Sequence, residues 1–270
     1  MQFMRFQIRR KGLSMIEVIF VIVVLGIVSS IGASIIAKVY ESYIVQRAAY
    51  RANIKTELAL QQIANRLQSR IPSTVGALVG GSFVPISEVT SPTADALQWV
   101  SYDVDSFEAG TIPGWSGFID LDDSNKTFLS TPGSDLNVTN TVINNLGGGG
   151  VSGAYIYFPD GSYYPLSGYT SNTKLNVNLT TGNTIYERYK LAWSSYALKV
   201  ENGDLYLYYN FSPVPQAPLG QNKALLLKNV ASFRFKGSEG SMRIKICRIE
   251  ATGENNASDY VTSCKEKVVF

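Results

Sequence analysis

Twenty consecutive residues without a charge, Val18–Ala37, follow a short basic stretch and decide most of what this chain can be. From Leu13 to Ala37 it reads LSMIEVIFVIVVLGIVSSIGASIIA, 25 residues whose one charge is Glu17. As a helix the uncharged part covers roughly 30 Å, the hydrocarbon thickness of a bilayer. The apolar run is longer than the roughly 7–15 residues of a cleavable secretory signal. Residues 1–12, MQFMRFQIRRKG, hold Arg5, Arg9, Arg10 and Lys11 and no acid. The excess of basic residues on that side places the N-terminus in the cytoplasm and the rest of the chain across the membrane.

That basic dozen also explains the overall charge. The chain has 24 basic and 21 acidic residues, a net +3. With the four N-terminal cations set aside, 20 basic residues face 21 acidic ones, so the body carries −1. No global basic field remains to recruit nucleic acid. The body has ample material for a core, at 45% hydrophobic and 17% charged over 270 residues. There is no histidine. Ser-His-Asp and Cys-His nucleophile systems, His-ligated zinc and imidazole acid–base chemistry are therefore excluded. The two cysteines, Cys247 and Cys264, are too few for a Cys-only zinc site and make at most one bridge. No convergent catalytic set is visible and no cofactor is expected; a carboxylate pair is the one enzymatic option left open.

Glu17 is the informative residue of the apolar run. A carboxylate just inside such a helix costs on the order of 1–3 kcal/mol unless it snorkels to water or finds a partner. The run Arg9-Arg10-Lys11-Gly12-Leu13-Ser14-Met15-Ile16-Glu17 resembles the signal of type IV prepilins and type II secretion pseudopilins. In that family a basic leader ends in glycine and a membrane aspartyl peptidase cuts directly after it. The new amine is then methylated, and the fifth residue after the cut is glutamate. The resemblance implies cleavage between Gly12 and Leu13, N-methylation of Leu13, and an assembly role for Glu17. Leu13 departs from the commoner phenylalanine or methionine. When helices pack in parallel with an axial stagger, the glutamate of one subunit neutralises the amine of its neighbour; unpaired, both charges are costly in a low-dielectric filament. The family also breaks its helix here, commonly at glycine followed by proline. This chain has Gly26 and Gly32, with Ser34 where the proline usually falls. Glycine costs about 1 kcal/mol relative to alanine in a helix interior, which favours local loosening at both positions.

No proline occurs before Pro72. Ala48, Ala52, Ala59, Ile63 and Leu67 recur at helical spacing and make a narrow apolar stripe. One continuous helix is expected from about Leu13 to about Arg70, roughly 87 Å long, with Arg47, Arg51, Arg66 and Arg70 on a solvated face. The organisation expected is a leader (1–12), a transmembrane and assembly helix (13–37), its extramembrane continuation (38–71) and a β-rich domain (72–270). The fold class is α+β, pilin-like, with the long helix packed against antiparallel sheet.

Beyond Ile71 the texture turns to glycine, serine, threonine, asparagine and aromatics. Strands are expected at Ala96–Tyr102, Gly117–Leu121, Ala154–Phe158, Tyr189–Val200, Leu205–Phe211, Ser232–Lys236, Met242–Ile249 and Tyr260–Thr262. Glu201-Asn202-Gly203-Asp204 is the clearest hairpin turn, and Pro159-Asp160-Gly161 a second turn. The Gly147–Gly150 tract lacks the following lysine that a phosphate-binding loop needs. Tyr189–Ile249 is similar in pattern to the C-terminal sheet of J-class minor pseudopilins and W-type minor pilins. The tyrosines and phenylalanines of Tyr155–Phe158 and Tyr206–Phe211 read as sheet packing.

Cys247 and Cys264 bracket 16 residues, including Glu254-Asn255-Asn256, on the side of the membrane where thiols oxidise; a disulfide is favoured over free thiols. Asp120, Asp122 and Asp123 form the best oxygen-rich loop, a calcium candidate weighed against an ordinary acidic turn. Asn125 and Thr131 stand where an EF-hand has its glycine and glutamate.

The expected function is that of a minor pilin-like structural subunit and not an enzyme. It would sit in the inner membrane with its domain in the periplasm and then join or prime a type II secretion pseudopilus or type IV pilus. The resemblance implies as partners the prepilin peptidase and methylase, other major and minor pilin-like subunits, the inner-membrane assembly platform and the lipid bilayer. Two rivals remain: a competence pseudopilin aiding DNA uptake, hinted at by Arg243 and Lys245 sharing a strand face with Cys247, and a membrane-anchored binding or adhesive domain.

Overall fold

The computed structural model describes residues 12, 14–89, 94–238, 240–252 and 260–270. The basic leader residues 1–11, Leu13 and the segment 253–259 lie outside them. The chain is α+β, a long helix followed by antiparallel sheets. Helix α1 (Met15–Gln68) runs unbroken for 54 residues, roughly 81 Å at the standard rise. Its N-cap is Ser14, whose side chain accepts from the Glu17 N–H, and Ser69 caps its C-terminal end. The sequence places both ends within two residues, because the periodic stripe stops just before Pro72.

The helix has two environments. Up to Arg47 it is almost wholly exposed, including Phe20, Ile22, Leu25 and Ile36. From Ala48 onward the expected stripe is buried: Ala48, Ala52, Ala59, Ile63 and Leu67, joined by Thr56, Leu60 and Ala64. Thr56 is tolerated there because its Oγ1 donates to the Ala52 carbonyl at 2.7 Å.

Among the described residues, fourteen strands make three antiparallel sheets. The first contains β1 (Gly76–Val79), β2 (Ser82–Pro85), β3 (Ala96–Ser101), and, after β4 to β8, β9 (Ser194–Glu201), β10 (Asp204–Phe211) and β11 (Lys223–Leu227), in the order β11-β10-β9-β3-β1-β2. The second runs β4-β7-β6-β5-β8, from β4 (Phe128–Ser130), β5 (Tyr155–Tyr157), β6 (Tyr163–Ser171), β7 (Lys174–Val177) and β8 (Lys190–Ala192). The third is β12 (Val230–Gly237), β13 (Met242–Ala251) and β14 (Tyr260–Val269), in sequence order. Among the described residues there are two further α-helices, α2 (Val104–Phe107) and α3 (Leu136–Asn145).

Two cores result. In one, Leu60, Ile63 and Leu67 of α1 meet Leu97 and Trp99 of β3, Leu198 of β9 and Leu205 of β10, together with Ile244 and Ile246 of β13. The first and third sheets thus share the face of one helix. The other core lies at the five-stranded sheet, where Leu129, Ile156, Leu175 and Leu191 pack with Leu136 and Ile143 of α3. Ile71, Val100, Tyr157 and Ala192 form a small bridging cluster.

Several expectations are corrected. Gly117–Leu121 is not a strand; Phe118 and Asp120 make only isolated bridges, to Arg188 and Ser130. Tyr189–Val200 is two strands, because pairing passes from β5 to β3 at the buried Trp193. Arg70 is not on a solvated face: it is buried, and its guanidinium donates to the carbonyls of Leu67 (2.8 Å) and Gly240 (3.1 Å). The C-terminal strand continues from Tyr260 to Val269, well past Thr262. The hairpin expected at Glu201–Asp204 is present, with Asn202 and Gly203 at φ 52 and 81, the left-handed pair a two-residue hairpin turn requires.

Candidate functional site: the amphipathic entry to the long helix

The start of α1 gathers the residues singled out by the sequence. Ser14 stands outside the first turn and takes the Glu17 N–H on its Oγ at 3.4 Å and on its carbonyl oxygen at 3.0 Å. Ser14 through Glu17 is therefore laid out as a capping box, serine at the N-cap and glutamate three residues on, a local signal the sequence reading passed over. Only the serine half is made: among the described residues the Glu17 carboxylate has no side-chain or backbone partner. It is exposed, one turn into a helix whose next twenty side chains are apolar or small and uncharged. Gly12 is exposed and lies just outside the helix; Leu13 lies outside the described residues. Gly12 thus lies three residues before the first helical residue, and the first turn carries an exposed carboxylate, Glu17, at the start of the apolar stretch.

Gly26 and Gly32 sit inside the unbroken helix, and a Cβ at either would meet no atom within 4 Å. The isolated chain thus gives no steric reason for glycine at either position. Ser34 donates its hydroxyl to the Ile31 carbonyl at 2.8 Å within the continuous helix.

The other candidates have local structural work. Cys247 and Cys264 form a disulfide. They are directly opposite each other in the β13–β14 register, so the bridge ties two strands that already pair. In the acidic turn, Asp120 Oδ1 accepts the N–H groups of Asp122 (3.1 Å) and Asp123 (3.3 Å). Asp123 pairs with Lys174 at 3.1 Å, and the hydrogen bond from that lysine holds its carboxyl below the ordinary value. Among the described residues no group of three or more acidic or cysteine side chains is placed to hold a metal ion.

A cleft of about 680 Å³ opens between the end of α1, the six-stranded sheet and α2, with Asp103, Asp105 and Glu108 on its wall. Asp103 is buried, which raises its pKa, but its carboxylate is spent on capping α2 through the Ser106 N–H (3.2 Å) and hydroxyl. The expected sheet aromatics also pack internally: the Tyr157 hydroxyl donates to the Pro213 carbonyl at 2.6 Å, and Tyr157 stacks on Tyr163.

Compared with known proteins, the chain matches no family model, no curated protein and no solved structure.

Proposed function

We propose that this protein is a structural subunit anchored by its N-terminal helix, without catalysis of its own. More particularly, we read it as a minor pilin-like protein that is cut after Gly12 and joins or primes a secretion pseudopilus or type IV pilus. The observation that carries this reading is Glu17, unpartnered among the described residues, at the entry of an exposed apolar helix and five residues beyond a glycine that follows basic residues. One continuous helix, bare in its first half and clad by sheets in its second, supports it. Such a shape lets the bare half pass from lipid into a bundle of like helices without refolding. Removal of the leader would set an ammonium near the membrane surface, and Glu17 of a staggered neighbour would be its counter-charge. The cytoplasmic leader, the periplasmic body and the peptidase, platform and sibling subunits as partners belong to the same proposal.

Processing tests it. The chain produced with an active prepilin peptidase should begin at a methylated Leu13, and without the peptidase at Met1. Gly12→Arg should leave the leader uncut while the protein stays membrane-bound. A chain that keeps Met1 in the presence of the active peptidase would refute the reading and leave an ordinary membrane-anchored binding domain.

A further inference from the structure

The three-stranded sheet turns one face to α1 and the other to solvent, and the outer face carries an unusual pattern of charge. On β13 the buried residues are Met242, Ile244 and Ile246, so Arg243 and Lys245 point outward. On β12, Phe233 and Phe235 pack toward the core and Arg234 and Lys236 are exposed. The register sets Lys236 opposite Arg243 and Arg234 opposite Lys245. Like charges directly across a strand pair are destabilising, and here two such pairs are adjacent. Glu266, opposite Lys245 and 3.3 Å from Arg243, is the one acid in these rows. The next row holds the Cys247–Cys264 bridge, which braces the array. The fold alone gains nothing from four cations placed this way.

We propose that this face is a docking surface for an acidic stretch of another polypeptide. Lipid of the anchoring membrane is out of reach. Lys267, paired with Ile244 between the two β13 cations, bonds Gln61, and Gln61 lies ~36 Å along the helix from Ala37. Nucleic acid fits poorly as well. Affinity for it comes mainly from neutralising many phosphates along a strand, and these rows offer no ring on which bases could stack, since Phe233 and Phe235 face inward. Carboxylates on a neighbouring protein need only this compact area. The proposal does not depend on cleavage at Gly12 or on Glu17.

The test uses the full chain in micelles of an uncharged detergent, with a labelled oligoglutamate peptide as probe. Arg234→Glu with Lys236→Glu should weaken peptide binding at least about tenfold. The same double variant should melt at an unchanged or higher temperature, because each new glutamate faces a cation across the strand. Lys55→Glu with Lys126→Glu, an equal charge change elsewhere, should stay within about twofold, and wild-type binding should fall with salt. The neutral pair Arg234→Gln with Lys236→Gln should give a smaller loss, roughly threefold. Equal binding by the wild type and the Arg234/Lys236 variants would overturn the proposal. So would tighter binding of a single-stranded oligonucleotide or anionic vesicles than of the peptide, with loss in the same variants.

Discussion

Glu201 sits at the base of the Asn202-Gly203 hairpin with three donors on one carboxylate. Lys223 reaches it at 2.6 Å, the Tyr208 hydroxyl at 2.5 Å and Lys199 at 3.2 Å. The Lys223 bond and then the Tyr208 bond hold its pKa at about 2, against an ordinary 4.5. A depressed acid contributes stability that is complete above the unfolded value and fades as pH falls toward the folded one. Glu201→Gln should therefore cost about 1 kcal/mol at neutral pH, with the difference shrinking between pH 4.5 and about 2 and vanishing below. Urea unfolding of both proteins across that range measures it. The sequence made the turn legible but not this trio, because Lys223 arrives from β11, 22 residues away. Arg70 departs from expectation for a related reason: helical spacing gives a direction, not whether another strand's loop, here at Gly240, will close over it.

At the scale of elements, the long helix was legible because its small-residue stripe repeats every turn, and that stripe is what the sheets need to approach closely. Ala52 is fully buried; Ala52→Leu should destabilise the domain by about 1–3 kcal/mol through overpacking. Ile63→Ala should cost about 2–5 kcal/mol through the cavity it leaves. Denaturant unfolding of the detergent-solubilised chain distinguishes these from exposed Leu58→Ala, which should stay within about 0.5 kcal/mol. Other elements gave weaker signals. Helix α3, LNVTNTVINN, is built of β-branched residues and asparagines that disfavour helix and is held by its Asp135 cap and its packing on the second core. Strand β6 contains Pro165 and Gly168 and is irregular, with two register shifts against β7. The β1–β2 hairpin turns at Gly80-Gly81, at φ 58 and 82, a dipeptide that is a turn signal in the sequence. The disulfide was favoured from compartment alone; its directly opposed placement needed the register. Replacing both cysteines by alanine should cost about 2–3 kcal/mol, and alkylation should count two thiols only after reduction.

For the whole molecule, one side of α1 is clad and its first thirty or so residues are bare, with the carboxylate of Glu17 at the entry. Exposed apolar surface of this extent requires lipid or other helices as a cover, and Glu17, buried in such a cover, would need a counter-charge. The proposed filament supplies both at once. What this chain docks against was not legible, since that depends on the surfaces of other chains; of its own surfaces, the basic sheet face is the one now in view. The most direct measurement is the fate of Glu17→Ala in cells that assemble the filament, followed by N-terminal sequencing and by immunoblotting of the sheared filament fraction. The variant should be inserted, cut after Gly12 and absent from filaments. Its incorporation at the level of the unaltered protein would contradict the account.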